Sequence, residues 1–320
     1  MTTPEIHFVI SAPRSGSTWL AQALNQHSEV FATEQRLFGN FCEMWPNNNG
    51  KLAPRITLDA YAKAMSVHYF HGELVNSRVQ FIESFIKAYC QFLIDFGSKS
   101  SGKSVIVDKI TPYPGTTSTV VRQLQKFFPN SKIIRLIRDG RDVQTSGTFD
   151  WLLKDGHGTD RYKCFVENDS SVVVQRFFDD ETIKKWAANW KESVCDVKQF
   201  DLEVRYENML AEMPHVLNSV FDTIGVEASE AISRQCAEKV TFEKMTGRRN
   251  GKMDATAKQR SGISGQWRDF FTRRDGQLFH AIAGDELISL GYCVGDNWFG
   301  ELPEKLSIRC DSQSKEASQS

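Results

Sequence analysis

Residues 8–24 read FVISAPRSGSTWLAQAL: an apolar extended run, a break at Ser11-Ala12-Pro13, a turn through Arg14-Ser15-Gly16-Ser17-Thr18, and at once an amphipathic helix. A strand that feeds a glycine-containing turn and opens a helix aims several backbone N–H groups at one point, which makes it an anion cradle. Further apolar runs predict buried parallel strands over 6–10, 105–107 and 132–137, with another over 202–206. Helical patterns fall over 18–26, 74–96, 117–128 and 181–199. Strands alternating with helices imply an α/β fold of three layers, a central, mostly parallel sheet flanked by helices. Its ligand sits at the carboxyl ends of the strands.

Bulk properties narrow the choice of ligand. The 320 residues carry 39 Lys and Arg against 40 Asp and Glu, a formal charge of -1, so no partner nucleic acid or anionic membrane is attracted by net charge and anion binding has to be local. With no apolar window of membrane-spanning length and no basic-then-apolar leader, the chain reads as soluble and cytoplasmic, without a membrane span. Seven cysteines (42, 90, 164, 195, 236, 293 and 310) show no C-x-x-C pair and read as reduced thiols. Residues 1–300 are expected to form one domain, with loops at 45–55 and 154–161 beside the binding edge. The polar end, 301–320, reads as a disordered tail.

Laid over the nucleoside-triphosphatase pattern G-x-x-x-x-G-K-[ST], Ser11 replaces the first glycine, Gly16 and Thr18 fit, and Ser17 occupies the lysine slot. Without that lysine the loop is a poor cradle for a triphosphate, and Arg14 supplies a cation from another position. The run PRSGSTWL resembles the 5'-phosphosulfate loop of sulfotransferases that use 3'-phosphoadenosine 5'-phosphosulfate (PAPS). The resemblance implies a P-loop-like sulfotransferase fold, PAPS as sulfuryl donor, no metal, and cofactor contacts from Arg14, Ser15, Gly16, Ser17 and Thr18.

Three further segments follow in order. In RLIRDGRDVQTS, Arg138 ends a strand and Ser146 lies eight positions on in the next helix, so a guanidinium and a hydroxyl can converge on one phosphate. The competing reading is surface Arg and Asp side chains pairing with one another around RDGRD. The resemblance makes Arg138 and Ser146 binders of the 3'-phosphate. RSGISGQWRDFFT is similar to the family segment R-K-G-x-x-G-D-W-K-x-x-F-T, which implies that Arg260, Ser261 and Gly262 close over the same phosphate. Ser261 departs from the usual Lys and Gln266 from the usual Asp. By the same resemblance Trp19 and Phe242 sandwich the adenine and Tyr206 adds a contact, although Trp, Phe and Tyr at such positions often serve only as core.

Sulfuryl transfer to a hydroxyl or amine needs a base for the acceptor, cations for the leaving oxygen and exclusion of water. Arg14 and Lys109, which follows the run VIV, are the cations. Relatives acting on small molecules place a His two positions after that lysine, where this chain has Thr111; the layout instead resembles members acting on carbohydrate or on protein tyrosine, which carry a Glu about twenty residues after the loop cation, and that resemblance implies Glu34, twenty residues after Arg14, as the base. A solvated surface Glu is the competing reading of Glu34. His27, His68, His71 and His157 are spare imidazoles, and His68 with His71 lacks the further ligands a metal would need. The acceptor reads as a small molecule or a carbohydrate, and a homodimer is left open. Two alternatives stay beside this reading: a nucleotide kinase with Asp108 as its magnesium carboxylate, and a catalytically silent member that only binds the nucleotide.

Overall fold

A computed structural model describes residues 5–34, 78–194, 200–257 and 259–306. The chain divides into two compact units, Met1–Ile137 with Asp196–Thr241, and Arg138–Cys195 with Phe242–Ser320.

The first unit holds a five-stranded parallel sheet, formed among the described residues by β1 (Glu5–Ser11), β2 (Val30–Glu34), β3 (Val105–Ile110), β4 (Ile133–Ile137) and β5 (Leu202–Arg205) in the order β2-β3-β1-β4-β5. β3 and β4 are buried along their whole length and β1 beyond its first residue, as strands covered on both faces must be. Ile6, Phe8, Ile10, Ile106, Ile110 and Ile133 pack against Ile86, Cys90 and Ile94 of the Arg78–Ser101 helix and Val120, Val121 and Leu124 of the Thr117–Phe127 helix. The expected strands are therefore present, and β2 is an addition. β3 runs on through Lys109 rather than stopping before it. β1 lies between β3 and β4, so the chain leaves it to one side for β2 and later returns on the other. That reversal is the position where open parallel sheets hold ligands.

The second unit is helical among the described residues. The Gly140–Asp155 helix packs on the Asp180–Val194 helix, which packs on Arg273–Ser289. Two glycines permit the first contact: a Cβ on Gly140 would lie 2.4 Å from the Trp190 ring, and one on Gly147 2.3 Å from Trp186. Phe149, Phe165, Phe177 and Phe270 form an aromatic knot with ring centroids 4.6–5.2 Å apart for the closest pairs. At the end of the described chain, Pro303 O accepts from Arg273 N and Leu306 N donates to Gln175 O. The rest of the expected tail, 307–320, lies outside the described residues, as do the 45–55 loop, His68 and His71.

Candidate functional site

β1 ends at Ser11, and the turn into the Ser17–Leu24 helix passes through two left-handed residues, Arg14 at φ 68° and Gly16 at φ 91°. Gly16 is required on two counts. Its φ suits glycine, and a Cβ there would sit 2.5 Å from the ring of Tyr206, the residue that follows β5. Tyr206 is buried and meets Trp19 edge-on at 6.0 Å, while Trp19 Nε1 donates to Val240 O at 2.8 Å. The Ser11 and Ser15 hydroxyls are buried without a hydrogen-bond partner among the described residues. Leaving such groups unsatisfied is costly, and an anion rich in acceptor oxygens would satisfy them. The turn thus fits a phosphate or sulfate ester by its own chemistry.

Glu34 and Lys109 are register partners on β2 and β3. Lys109 Nζ lies 3.7 Å from Glu34 Oε2, and the same oxygen accepts from Thr18 Oγ1 at 3.2 Å. One carboxylate therefore touches both the loop helix and the strand lysine, and it keeps about a third of its surface exposed (35%). The preceding register pair, Thr33 and Asp108, points to the opposite face because side chains alternate along strands. Asp108 is fully buried and accepts from the Thr33 hydroxyl. A carboxylate committed inside the sheet is poorly placed to hold magnesium, which weakens the kinase alternative. No group of three or more His, Cys, Asp or Glu suited to a metal occurs among the described residues.

In the second unit Arg138 is buried, with Nη2 donating to Ile263 O at 3.3 Å and lying 3.8 Å from Asp142 Oδ2. Ser146 is buried one turn beyond Asp142 in the Gly140–Asp155 helix. Arg260 stacks its guanidinium on Phe149 at 4.3 Å and approaches Thr145 O at 3.5 Å. Its Nη2 donates to Gln266 Oε1 at 2.7 Å, which also accepts from Ser261 Oγ at 2.9 Å. Gly262, at φ 65°, presses its Cα against Phe242, where a Cβ would come within 2.5 Å of the ring. Arg138, Ser146, Phe242, Arg260, Ser261 and Gly262 thus belong to the second unit, and Arg14, Ser15, Gly16, Ser17, Thr18, Trp19, Glu34, Lys109 and Tyr206 to the first.

Pairing around RDGRD is real but internal. Arg141 is buried and bonds to both Asp139 oxygens, with Nη2 2.7 Å from Oδ2, and its guanidinium lies against both Trp267 at 3.9 Å and Trp298 at 4.5 Å. Sequence reasoning missed Asp142, whose carboxylate accepts from Gly265 N at 2.7 Å, Trp267 N at 3.0 Å and Ser264 Oγ at 3.2 Å. It also missed Arg248, which bonds the carbonyls of Lys252 at 3.1 Å, Arg260 at 2.8 Å and Gln259. The charge-rich segments signalled ion pairs, but not which backbone groups they would bind. Among the spare imidazoles, His27 is packed against Phe221 with Nε2 3.1 Å from Glu227 O, and His157 caps Leu153 O at 2.8 Å.

A model of the sulfotransferase family matches residues 7–230, more than two thirds of the chain. The chain belongs to the sulfotransferase family, and its α/β fold around a parallel sheet is of that type. Among solved structures it is similar to mouse sulfotransferase SULT7A1 complexed with PAP (17% identity, 92% of this chain and 88% of that one, TM-score 0.48). It is also similar to the sulfotransferase domain of the Synechococcus PCC 7002 olefin synthase (16% identity, 92% and 98%, TM-score 0.49). No curated protein matches the chain. No described helix is long and apolar enough to cross a membrane.

Proposed function

We propose that the protein transfers a sulfuryl group from PAPS to a hydroxyl or amine of a small-molecule or carbohydrate acceptor by in-line displacement. The observation that carries this reading is the Gly16 turn, whose buried Ser11 and Ser15 hydroxyls have no hydrogen-bond partner among the described residues, beside a Glu34 oxygen met by both Thr18 Oγ1 and Lys109 Nζ. When bound, PAPS supplies the sulfuryl group and departs as 3',5'-adenosine bisphosphate (PAP).

Each residue then has a task in its own unit. Backbone N–H groups and hydroxyls at Ser15, Gly16, Ser17 and Thr18 hold the 5'-phosphosulfate, and Arg14 and Lys109 stabilise charge on the leaving oxygen. Glu34 takes the acceptor's proton at a carboxylate oxygen, with Thr18 and Lys109 fixing that carboxylate's orientation. Trp19, Tyr206 and Phe242 offer aromatic surface to adenine, and Arg138, Ser146, Arg260, Ser261 and Gly262 hold the 3'-phosphate. Reduced thiols and a cytoplasmic setting accord with this reading.

The test is twofold. Titration calorimetry should show PAP binding without added metal and much weaker binding of ATP with magnesium; the reverse preference would sink the assignment. Incubation with PAPS and an acceptor panel, read by mass spectrometry, should give products heavier by one sulfuryl group. PAP binding without turnover on any acceptor would favour the silent member instead.

A further inference from the structure

Ser11 stands where the nucleoside-triphosphatase pattern has its first glycine, so this chain carries a side chain at a place where that pattern has none. The sheet register fixes its direction. Glu34 pairs with Lys109 and Lys109 with Val9, which puts those three on one face of the sheet, and Ser11, two residues beyond Val9, shares that face. It is the last residue of β1, at the carboxyl edge, one pleat past the row of Lys109 and about 8 Å from it across the sheet. Glu34 lies one strand farther off, and its Oε2 is already met by Thr18 and Lys109. Ser11 is 4% exposed, and its hydroxyl has no hydrogen-bond partner among the described residues. The same holds for Ser15 at 1% exposure, but Ser15 lies in the turn beside Gly16 and the helix start, outside the sheet. A buried hydroxyl without a partner is costly, and the two positions differ in what could meet them. The turn gathers backbone N–H groups at a helix start, which suits a phosphate. The sheet edge belongs to Lys109 and Glu34, the residues assigned above to the leaving oxygen and to the incoming acceptor.

We infer that Ser11 is a specificity-determining residue, whose hydroxyl donates to an oxygen of the sulfuryl group and so distinguishes PAPS, which carries that group, from PAP, which does not. The inference rests on the sulfotransferase reading of the site. PAPS and PAP share the adenosine and both phosphates, so the contacts of the turn with the 5'-phosphate are common to the two. A donor that meets only sulfuryl oxygens favours the loaded nucleotide and does nothing to retain the spent one. A neutral hydroxyl suits this task better than a cation. The Lys109 ammonium attracts any anion nearby, the 5'-phosphate of PAP included, whereas a hydroxyl held at a fixed place in the sheet acts only at hydrogen-bond distance.

The experiment is calorimetry with PAPS and with PAP, without acceptor, on the full chain of the wild type, Ser11→Ala, Ser11→Cys and Ser15→Ala. Ser11→Ala should weaken PAPS by roughly tenfold, as expected for one hydrogen bond to a charged group, and leave PAP within about twofold. Ser11→Cys, whose thiol is a weak donor, should fall between the wild type and Ser11→Ala. Ser15→Ala should weaken both nucleotides alike. In the empty protein Ser11→Ala removes an unsatisfied buried group, so its melting temperature should stay level or rise. Equal losses for PAPS and PAP in Ser11→Ala, or no loss for either, overturn the inference. A melting temperature lowered by several degrees in the empty variant also overturns it, because the hydroxyl would then hold the fold. Should Ser11→Ala fail to fold, the ratio of PAPS to PAP affinity in Ser11→Cys decides. If the wild type binds neither nucleotide, the sulfotransferase reading falls first and this inference with it, whereas a wild type that binds both beside an unchanged Ser11→Ala removes this inference alone.

Discussion

Gly262 is held in the left-handed region at φ 65° with the Phe242 ring against its Cα. Any side chain there pays the conformational cost of left-handed backbone, about 1–2 kcal/mol, and must also push the ring aside. Gly262→Ala is therefore expected to weaken PAP roughly tenfold or more in calorimetry, with little change in secondary structure by circular dichroism. Glu34 is the opposite kind of residue, one on an ordinary strand backbone whose oxygen is proposed to take the acceptor's proton. Glu34→Gln keeps an acceptor for Thr18 Oγ1 and removes the base, so kcat should fall by roughly 10²- to 10⁴-fold while PAP affinity stays within about twofold. Loss of PAP binding in that variant would instead assign Glu34 to holding the loop.

At the scale of elements, Lys103 fastens the connection between the loop helix and the strand that carries Glu34. Its ammonium donates to the carbonyls of Asn25 at 3.0 Å, His27 at 3.0 Å and Val30 at 2.7 Å, filling all three of its donor positions. Burial lowers its pKa. Lys103→Met leaves those carbonyls without their cation and should cost about 2 kcal/mol in urea unfolding, with Lys103→Arg recovering part of it. Asp142 does the same for the 264–267 turn, and Asp142→Ala should destabilise by about 3 kcal/mol and weaken PAP, whereas Asp142→Asn, keeping one acceptor oxygen, should lose less. These two clamps mark the limit of what the chain of letters shows. Strands β1, β3 and β4 were legible because burial on both faces demands unbroken apolar runs, and the turn after β1 because its glycine, hydroxyls and helix start are contiguous. β2 escaped notice as a five-residue edge strand carrying Thr33 and Glu34. The continuation of β3 through Asp108 was hidden because the partner that makes a buried aspartate tolerable, Thr33, lies 75 residues away. Asp142 and Arg248 escaped for the same reason: each acts on backbone groups that only folding brings near.

At the scale of the whole molecule, acid should act in two stages that trace to different residues. His7 on β1 is buried, and its Nδ1 accepts from Lys132 N at 3.0 Å, a bond that holds the ring neutral. Burial first, and then the Lys132 charge, push its pKa down to about 4 from the ordinary 6.5. Between those two values the unfolded chain binds a proton that the folded one refuses, so stability is flat above about pH 6.5, declines as pH falls towards 4, and loses nothing further through this group below that. The shift corresponds to at most about 3 kcal/mol, a large share of the stability of a typical domain. A second decline should follow below pH 4, where carboxylates held below their ordinary range by hydrogen bonds and charge become protonated. Asp180 is the clearest of these, through Arg274 and Arg176. Its stabilisation is present above the unfolded carboxylate value and lost as pH falls towards the folded one. Urea midpoints at pH 7.5, 5.5, 4.5 and 3.5 would separate the stages. His7→Gln can keep an acceptor for Lys132 N and has no proton to gain, so it should start lower at pH 7.5 yet lose less between pH 6.5 and 4.5 than the wild type. A wild-type midpoint that stays level across that interval would show that His7 protonates within the folded sheet and that β1 is looser than its burial implies.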